Sequence, residues 1–168
     1  GGLAVQLVYF RGIGECRASG WVGEPERLKG LMGRIACEGG QTQIARVLRH
    51  VRDEARSVPI RAFVLVGDAM EEDADALAAL AGELGLRGIR GFAFQEGHDP
   101  AASTAFAMIA RLTGGAHARF DVGAPASLLE LLRGAAAYAA GGREAMLRLA
   151  AASPAVKGLL ASMEGPRR

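Results

Sequence analysis

An α/β fold, layered as helices, a mostly parallel sheet and helices, with one antiparallel hairpin at the sheet's edge, is what this chain predicts. Three observations carry that expectation. Strand-like and helix-like patterns alternate from residue 60 onward, the order of strand-helix units in a parallel sheet. Residues 60–66 form an apolar run with β-branched members, interrupted only by Arg61, as expected of a strand buried on both faces. Residues 3–10 and 15–21 flank the turn-forming Arg11-Gly12-Ile13-Gly14, as expected of a hairpin.

In chain order, the hairpin is followed by a helix opening at Glu24-Pro25-Glu26, with Leu28, Leu31, Met32 and Ile35 on one face and Gly39-Gly40 as its stop. Thr42 is expected to cap the next helix, whose Ile44, Val47, Leu48 and Val51 recur at helical spacing until Pro59. The apolar run at 60–66 belongs at the centre of the sheet. Glu71-Glu72-Asp73 then places acid in the first turn of a helix with a stripe of Leu77, Leu80, Ala81 and Leu84. Residues 89–94 form the next strand, and Gln95 to Pro100 a polar loop. Ser103 caps a helix carrying Phe106, Ile109 and Leu112, and Thr113-Gly114-Gly115 ends it before a strand at 117–120. Ala124-Pro125 opens a Leu- and Ala-rich helix that Gly141-Gly142 breaks, and two further helical stretches follow. Residues 1–141 thus read as the domain and 142–168 as a helical extension.

Composition excludes several classes. With 168 residues, half of them hydrophobic, the chain can build a core without staples. A formal charge of +2, with basic residues scattered among acidic ones apart from Arg167-Arg168, argues against nucleic acid as a partner. Cys16 and Cys37 are too few for a disulfide framework or a zinc cluster and read as buried or partly buried thiols in a reducing compartment. No apolar stretch approaches the roughly 18 residues that span a bilayer, and no leader pattern is seen, so the expected address is cytoplasmic, with no membrane partner. Gly1-Gly2 reads better as the end of a helix than as the start of a protein, so a fragment is expected.

Two segments carry chemistry. Gly39-Gly40-Gln41-Thr42-Gln43 opens a helix, and Val66-Gly67-Asp68-Ala69-Met70-Glu71-Glu72 ends a buried strand. A Thr hydroxyl and a carboxylate at the carboxyl edge of an open α/β sheet are oxygen donors of the kind that hold a hard divalent cation. Thr42 and Asp68 are therefore the candidate metal ligands; Glu71 and Glu72 serve a helix dipole or order a metal-bound water. No Lys stands where a phosphate loop needs one. No nucleophile has an activating partner, so catalytic residues are not expected.

At these residues the chain resembles the von Willebrand factor A (VWA) family. Gly40-Gln41-Thr42, with Ile44, Ala45 and Leu48 after it, is similar to the family's Gly-x-Thr loop and helix. Val66-Gly67-Asp68 resembles its strand-end Asp, though Ala69 stands where Gly is usual. Arg111-Leu112-Thr113-Gly114-Gly115-Ala116, with a strand afterwards, resembles the late Ala-x-x-Thr-Gly-Gly segment, structural in role. The likeness covers about residues 3–140. It implies a three-layer Rossmann-like sandwich lacking the family's first strand and helix, and with them the Asp-x-Ser-x-Ser part of a metal-ion-dependent adhesion site.

The resemblance also implies a function: protein recognition without catalysis, through Mg²⁺ that accepts a partner's Asp or Glu, in a subunit or adaptor of an intracellular bacterial complex. With one of three motifs missing, weak or no metal binding is expected of these residues alone. The missing strand would lie between the strands at 3–10 and 60–66, and its absence leaves buried amides that cost about 1 to 3 kcal/mol each. Residues upstream, a strand donated by another chain, or re-pairing around the gap would resolve this. A Rossmann-like domain with a complete sheet would instead pair residues 3–10 directly with 60–66. Two other functional classes stay open. One is a hydrolase or phosphoryl-handling enzyme using Asp68 with His98 or Asp99, which needs a closed pocket joining those loops; the other is a structural subunit assembling through the hairpin edge or the C-terminal helices.

Overall fold

The structure is a computed structural model that describes residues 2–36 and 38–165; Gly1, Cys37, Pro166, Arg167 and Arg168, and with them the expectation of a buried Cys37 thiol, lie outside the described residues. The chain is α/β. Among the described residues the elements are β1 (Val8–Arg11), β2 (Glu15–Ala18), α1 (Pro25–Met32), α2 (Ile44–Glu54), β3 (Ala62–Gly67), α3 (Ala74–Leu86), β4 (Arg90–Glu96), α4 (Pro100–Thr113), β5 (Ala116–Phe120), α5 (Pro125–Ala150) and α6 (Pro154–Glu164).

β3, β4 and β5 form a parallel sheet in that order, with Val64 opposite Phe92 and Phe94 opposite Ala118. Successive side chains of β4 point to opposite faces. Ala93 joins a core with Leu48 and Val51 of α2, Leu77 and Leu84 of α3, and Phe106 and Ile109 of α4. Phe92 and Phe94 join a second core with Leu131 of α5 and Val156 and Leu159 of α6. Residues 142–165, an extension by sequence pattern, thus pack Met146, Val156, Leu159 and Leu160 against the sheet's second face.

Glycines allow the closest approaches. A Cβ on Gly115 would lie 1.9 Å from the Gly91 carbonyl oxygen, and one on Gly85 2.1 Å from that of Leu112. Between them Thr113 is buried, its hydroxyl accepting from Gly91 N at 3.0 Å and lying 2.8 Å from the Ile109 carbonyl. Gly114 takes φ 65°, the left-handed conformation that ends α4. The Thr-Gly-Gly segment thus ties the end of α4 to β4.

The hairpin forms as expected, though shorter, with Tyr9 opposite Arg17 and Gly12 and Gly14 at positive φ in the turn. It is a separate sheet and does not pair with β3. It is fastened to α2 instead: Gln6 Oε1 lies 2.8 Å from His50 Nε2, Trp21 Nε1 donates to Glu54 Oε2 at 3.1 Å, and Arg46 Nη1 donates to the Gly14 carbonyl at 2.6 Å.

Several expectations are corrected. β3 lies at an edge of its sheet, and its Val64 and Val66 are 40% and 44% exposed, because no described strand covers its outer side. α1 stops at Gly33, not Gly39, and buries no residue; Met32 is 55% exposed, because the helix contributes to neither hydrophobic core. Asp99, not Ser103, caps α4, its Oδ1 accepting from Ala102 N at 2.6 Å. Ser103 is inside the helix and donates to Oε1 of the buried Gln95. Buried Gln95 needs that partner, which leaves the cap to Asp99. Thr42 does not cap α2 either. That helix begins at Ile44, after Gln43, without a local side-chain cap.

Candidate functional site

The carboxyl rim of the parallel sheet is where strand ends and helix starts meet, so loops there can present side chains together. After β3 the chain passes Asp68 and runs through Glu71 and Glu72 to Asp73, which caps α3 by accepting from Asp75 N at 2.9 Å. The loop at 38–43 comes to the same rim. Its approach depends on Gly40, where a Cβ would stand 2.0 Å from the Gly12 carbonyl oxygen at the hairpin turn.

The two loops are clasped by carboxylates. Thr42 N donates to Glu71 Oε2 at 3.3 Å, and Glu71 N donates back to Thr42 Oγ1 at 3.2 Å. Glu72 receives both Ile44 N and Ala45 N, the latter at 2.9 Å. The acid expected at the start of α3 thus serves the start of α2. An unpaired helix N-terminus with partial positive charge takes a carboxylate from wherever one is near. No local pattern signals this cap, because its partners are 27 and 28 residues apart in sequence.

Thr42 is half-buried and one lone pair of its hydroxyl is engaged by Glu71 N, which leaves the second free to face a cation. Asp68 is exposed, and its carboxylate has no hydrogen bond or ion pair among the described residues. Both belong to the rim, linked through Glu71 three residues past Asp68. As a cation site the set is short. Mg²⁺ takes six oxygens and keeps several waters, so a hydroxyl and one carboxylate are compatible donors but an incomplete shell. Among the described residues no group of three or more His, Cys, Asp or Glu side chains is placed to hold a metal ion.

The residues of the alternative catalytic reading are placed differently. His98 is exposed in the loop after β4, and Asp99 is occupied as the cap of α4. Two open depressions mark the surface of the described residues. One lies between α4, β5 and α6, lined by Arg111, His117 and Met163 among others, and one between the hairpin and the α1 region, lined by Tyr9, Leu31 and Ile35 among others. Neither is lined by Asp68, His98 or Asp99.

Electrostatics concentrate on the hairpin turn. Glu15 holds Arg11 Nε and Arg17 Nε, each at 2.8 Å, so the Arg11 hydrogen bonds above all keep its carboxyl below the usual range. Arg11 also donates to the Ala36 carbonyl, which steadies the chain just before the Thr42 loop. Cys16 is a free thiol whose pKa is raised by burial, the opposite of what a nucleophile needs. No helix among the described residues is long and apolar enough to cross a membrane. No protein-family model matches the chain, and no curated protein matches it.

Proposed function

We propose that this chain is a VWA-like protein-interaction module, a Rossmann-like α/β domain whose rim contributes Thr42 and Asp68 to a divalent-cation site. In this reading it is a subunit or adaptor of an intracellular bacterial complex. The observation that supports it is the reciprocal Thr42–Glu71 clasp, which holds the Thr loop at the strand end where Asp68 stands exposed and unpartnered among the described residues.

The chemistry follows from that placement. Asp68 offers an anionic oxygen and Thr42 a neutral one, the pairing that lets a hard cation retain net positive charge for an incoming carboxylate. A bound Mg²⁺ would supply a point of attachment for a partner's Asp or Glu; the remaining oxygens come from outside the described residues. Glu71 and Glu72 act by position: they spend their oxygens on backbone amides and keep the two loops together.

A Mn²⁺ titration of the 168-residue chain followed by amide line broadening tests this, since broadening reports weak occupancy. Signals of the 40–43 and 67–72 segments should broaden first. Asp68→Ala should weaken the effect by at least about tenfold, the scale for losing a ligand contact, while His98→Ala leaves it unchanged. Broadening that begins elsewhere, or survives Asp68→Ala intact, overturns the reading.

A further inference from the structure

The hairpin has two faces with different surroundings. Phe10 of β1 packs against the core built by α2, α3 and α4. Side chains alternate along a strand and directly opposed residues share a face, so Leu7 and Tyr9, with their partners Ser19 and Arg17, lie on the other face. Across from it stand Leu31 at the end of α1 and Arg34 and Ile35 just after it, and an open depression of about 210 Å³ lies between. Leu7, Leu31 and Ile35 are only partly buried, and α1 buries no residue, so apolar side chains border a space that the chain itself does not fill.

The polar groups around that space are donors. Glu15 is divided between Arg11 Nε and Arg17 Nε, each at 2.8 Å, and Arg11 also lies over the Tyr9 ring, 5.8 Å from its centroid. The Arg34 guanidinium and the Tyr9 hydroxyl have no hydrogen-bond or ion-pair partner among the described residues. Arg34 is not needed as a helix cap: the Lys29, Leu31 and Met32 carbonyls at the end of α1 already accept from Gly33 N, Arg34 N and Ile35 N. Among the described residues no Asp or Glu lines the depression. An unpaired Arg is by itself an ordinary solvated group. Here it stands beside a second Arg and over an unfilled apolar floor.

We propose that this depression binds a small organic acid, its carboxylate held by Arg34 and Arg17 and its compact apolar body seated among Leu7, Leu31 and Ile35. A guanidinium matches a carboxylate through two parallel N–H···O bonds. Arg17 can turn to the ligand because Arg11 still holds Glu15. A cavity of about 150 Å³ with apolar walls holds benzene, so a space of about 210 Å³ takes one ring with its carboxylate and is too small for a helix. Neither Thr42 nor Asp68 lines this depression, so the proposal stands apart from the cation site.

The test is a benzoate titration of the 168-residue chain at neutral pH, followed by amide chemical shifts in two-dimensional NMR, with benzamide and acetate as controls. Benzoate should give saturable shifts at Leu7, Tyr9, Ser19, Arg34 and Ile35 by about 10 mM, and the α1 amides should exchange more slowly once it is bound. Benzamide lacks the charge and acetate the ring, so each should bind at least about tenfold more weakly. Arg34→Gln removes a guanidinium that holds nothing in the fold; it should keep the parent's unfolding midpoint and lose at least about tenfold in benzoate affinity. Three results overturn the proposal: no saturable shift at those residues, benzamide or acetate binding as tightly as benzoate, or an Arg34→Gln chain that fails to fold or binds benzoate as the parent does.

Discussion

Glu72 shows how one side chain can organise two loops. Its carboxylate closes the first turn of α2 from across the rim, so Glu72→Ala should lower stability by about 1–2 kcal/mol, the worth of a good cap at a helix N-terminus. Urea unfolding reads that cost; a loss under about 0.5 kcal/mol is that of an ordinary surface change and would remove the cap from the account. His117 makes a second prediction. Its ring is half-buried, edge-on to Phe106 with centroids 6.4 Å apart, and its Nε2 has no hydrogen-bond partner among the described residues. Burial first, and Arg119 second, push its pKa below 6.5. The folded state therefore binds fewer protons than the unfolded chain, and His117 leaves stability intact above 6.5 but costs stability as pH falls through that value. Between about pH 7 and 5, His117→Gln should flatten the decline of the unfolding midpoint; an unaltered slope places the acid sensitivity elsewhere. At this scale the sequence shows where Asp68 and Thr42 fall, just past β3 and just before α2, because those positions are local facts. It was silent on Glu72 as the cap of α2 and on the Gln6, Trp21, His50 and Glu54 junction, because those contacts join segments distant in sequence.

Among the elements, α5 and α6 separate two uses of glycine. Gly142 has φ 65° and ψ −159° at the kink inside α5, a conformation open to few other residues, so Gly142→Ala should destabilise by roughly 1–3 kcal/mol. Gly158 sits exposed within α6 with nothing near its missing Cβ, so Gly158→Ala should stabilise by up to ~1 kcal/mol. Thermal unfolding of the two variants checks both signs; a Gly142→Ala protein as stable as the parent contradicts the kink. Helices and strands were legible where periodicity was strong, as in α3 with Leu77, Leu80, Ala81 and Leu84 all buried. The cap of α4 was misread because Ser103 and Asp99 have similar capping propensity, and only the burial of Gln95 decides between them. The fate of β3 was misread for a different reason: an apolar run reports that a strand is suited to burial, not which neighbours are present to bury it.

At the scale of the molecule, two sheets share one apolar core while the strand order between them is interrupted. The alternating pattern predicted the α/β class and the hairpin, while among the described residues β1 and β3 belong to separate sheets and do not pair. What the pattern could not convey is the packing of residues 142–165 onto the sheet, since an Ala-rich helix pair looks alike whether it is appended or embedded. The carboxyl rim of the sheet is held by backbone-to-carboxylate bonds, and the proposed function requires Thr42 and Asp68 to face one cation. Anomalous scattering from crystals of the chain soaked in Mn²⁺ tests this most directly. The account predicts a peak at the rim about 2.1 Å from an Asp68 carboxylate oxygen and from Thr42 Oγ1, and no peak there in Asp68→Ala; an ion bound elsewhere, with Thr42 and Asp68 turned to opposite ends of the sheet, would contradict it.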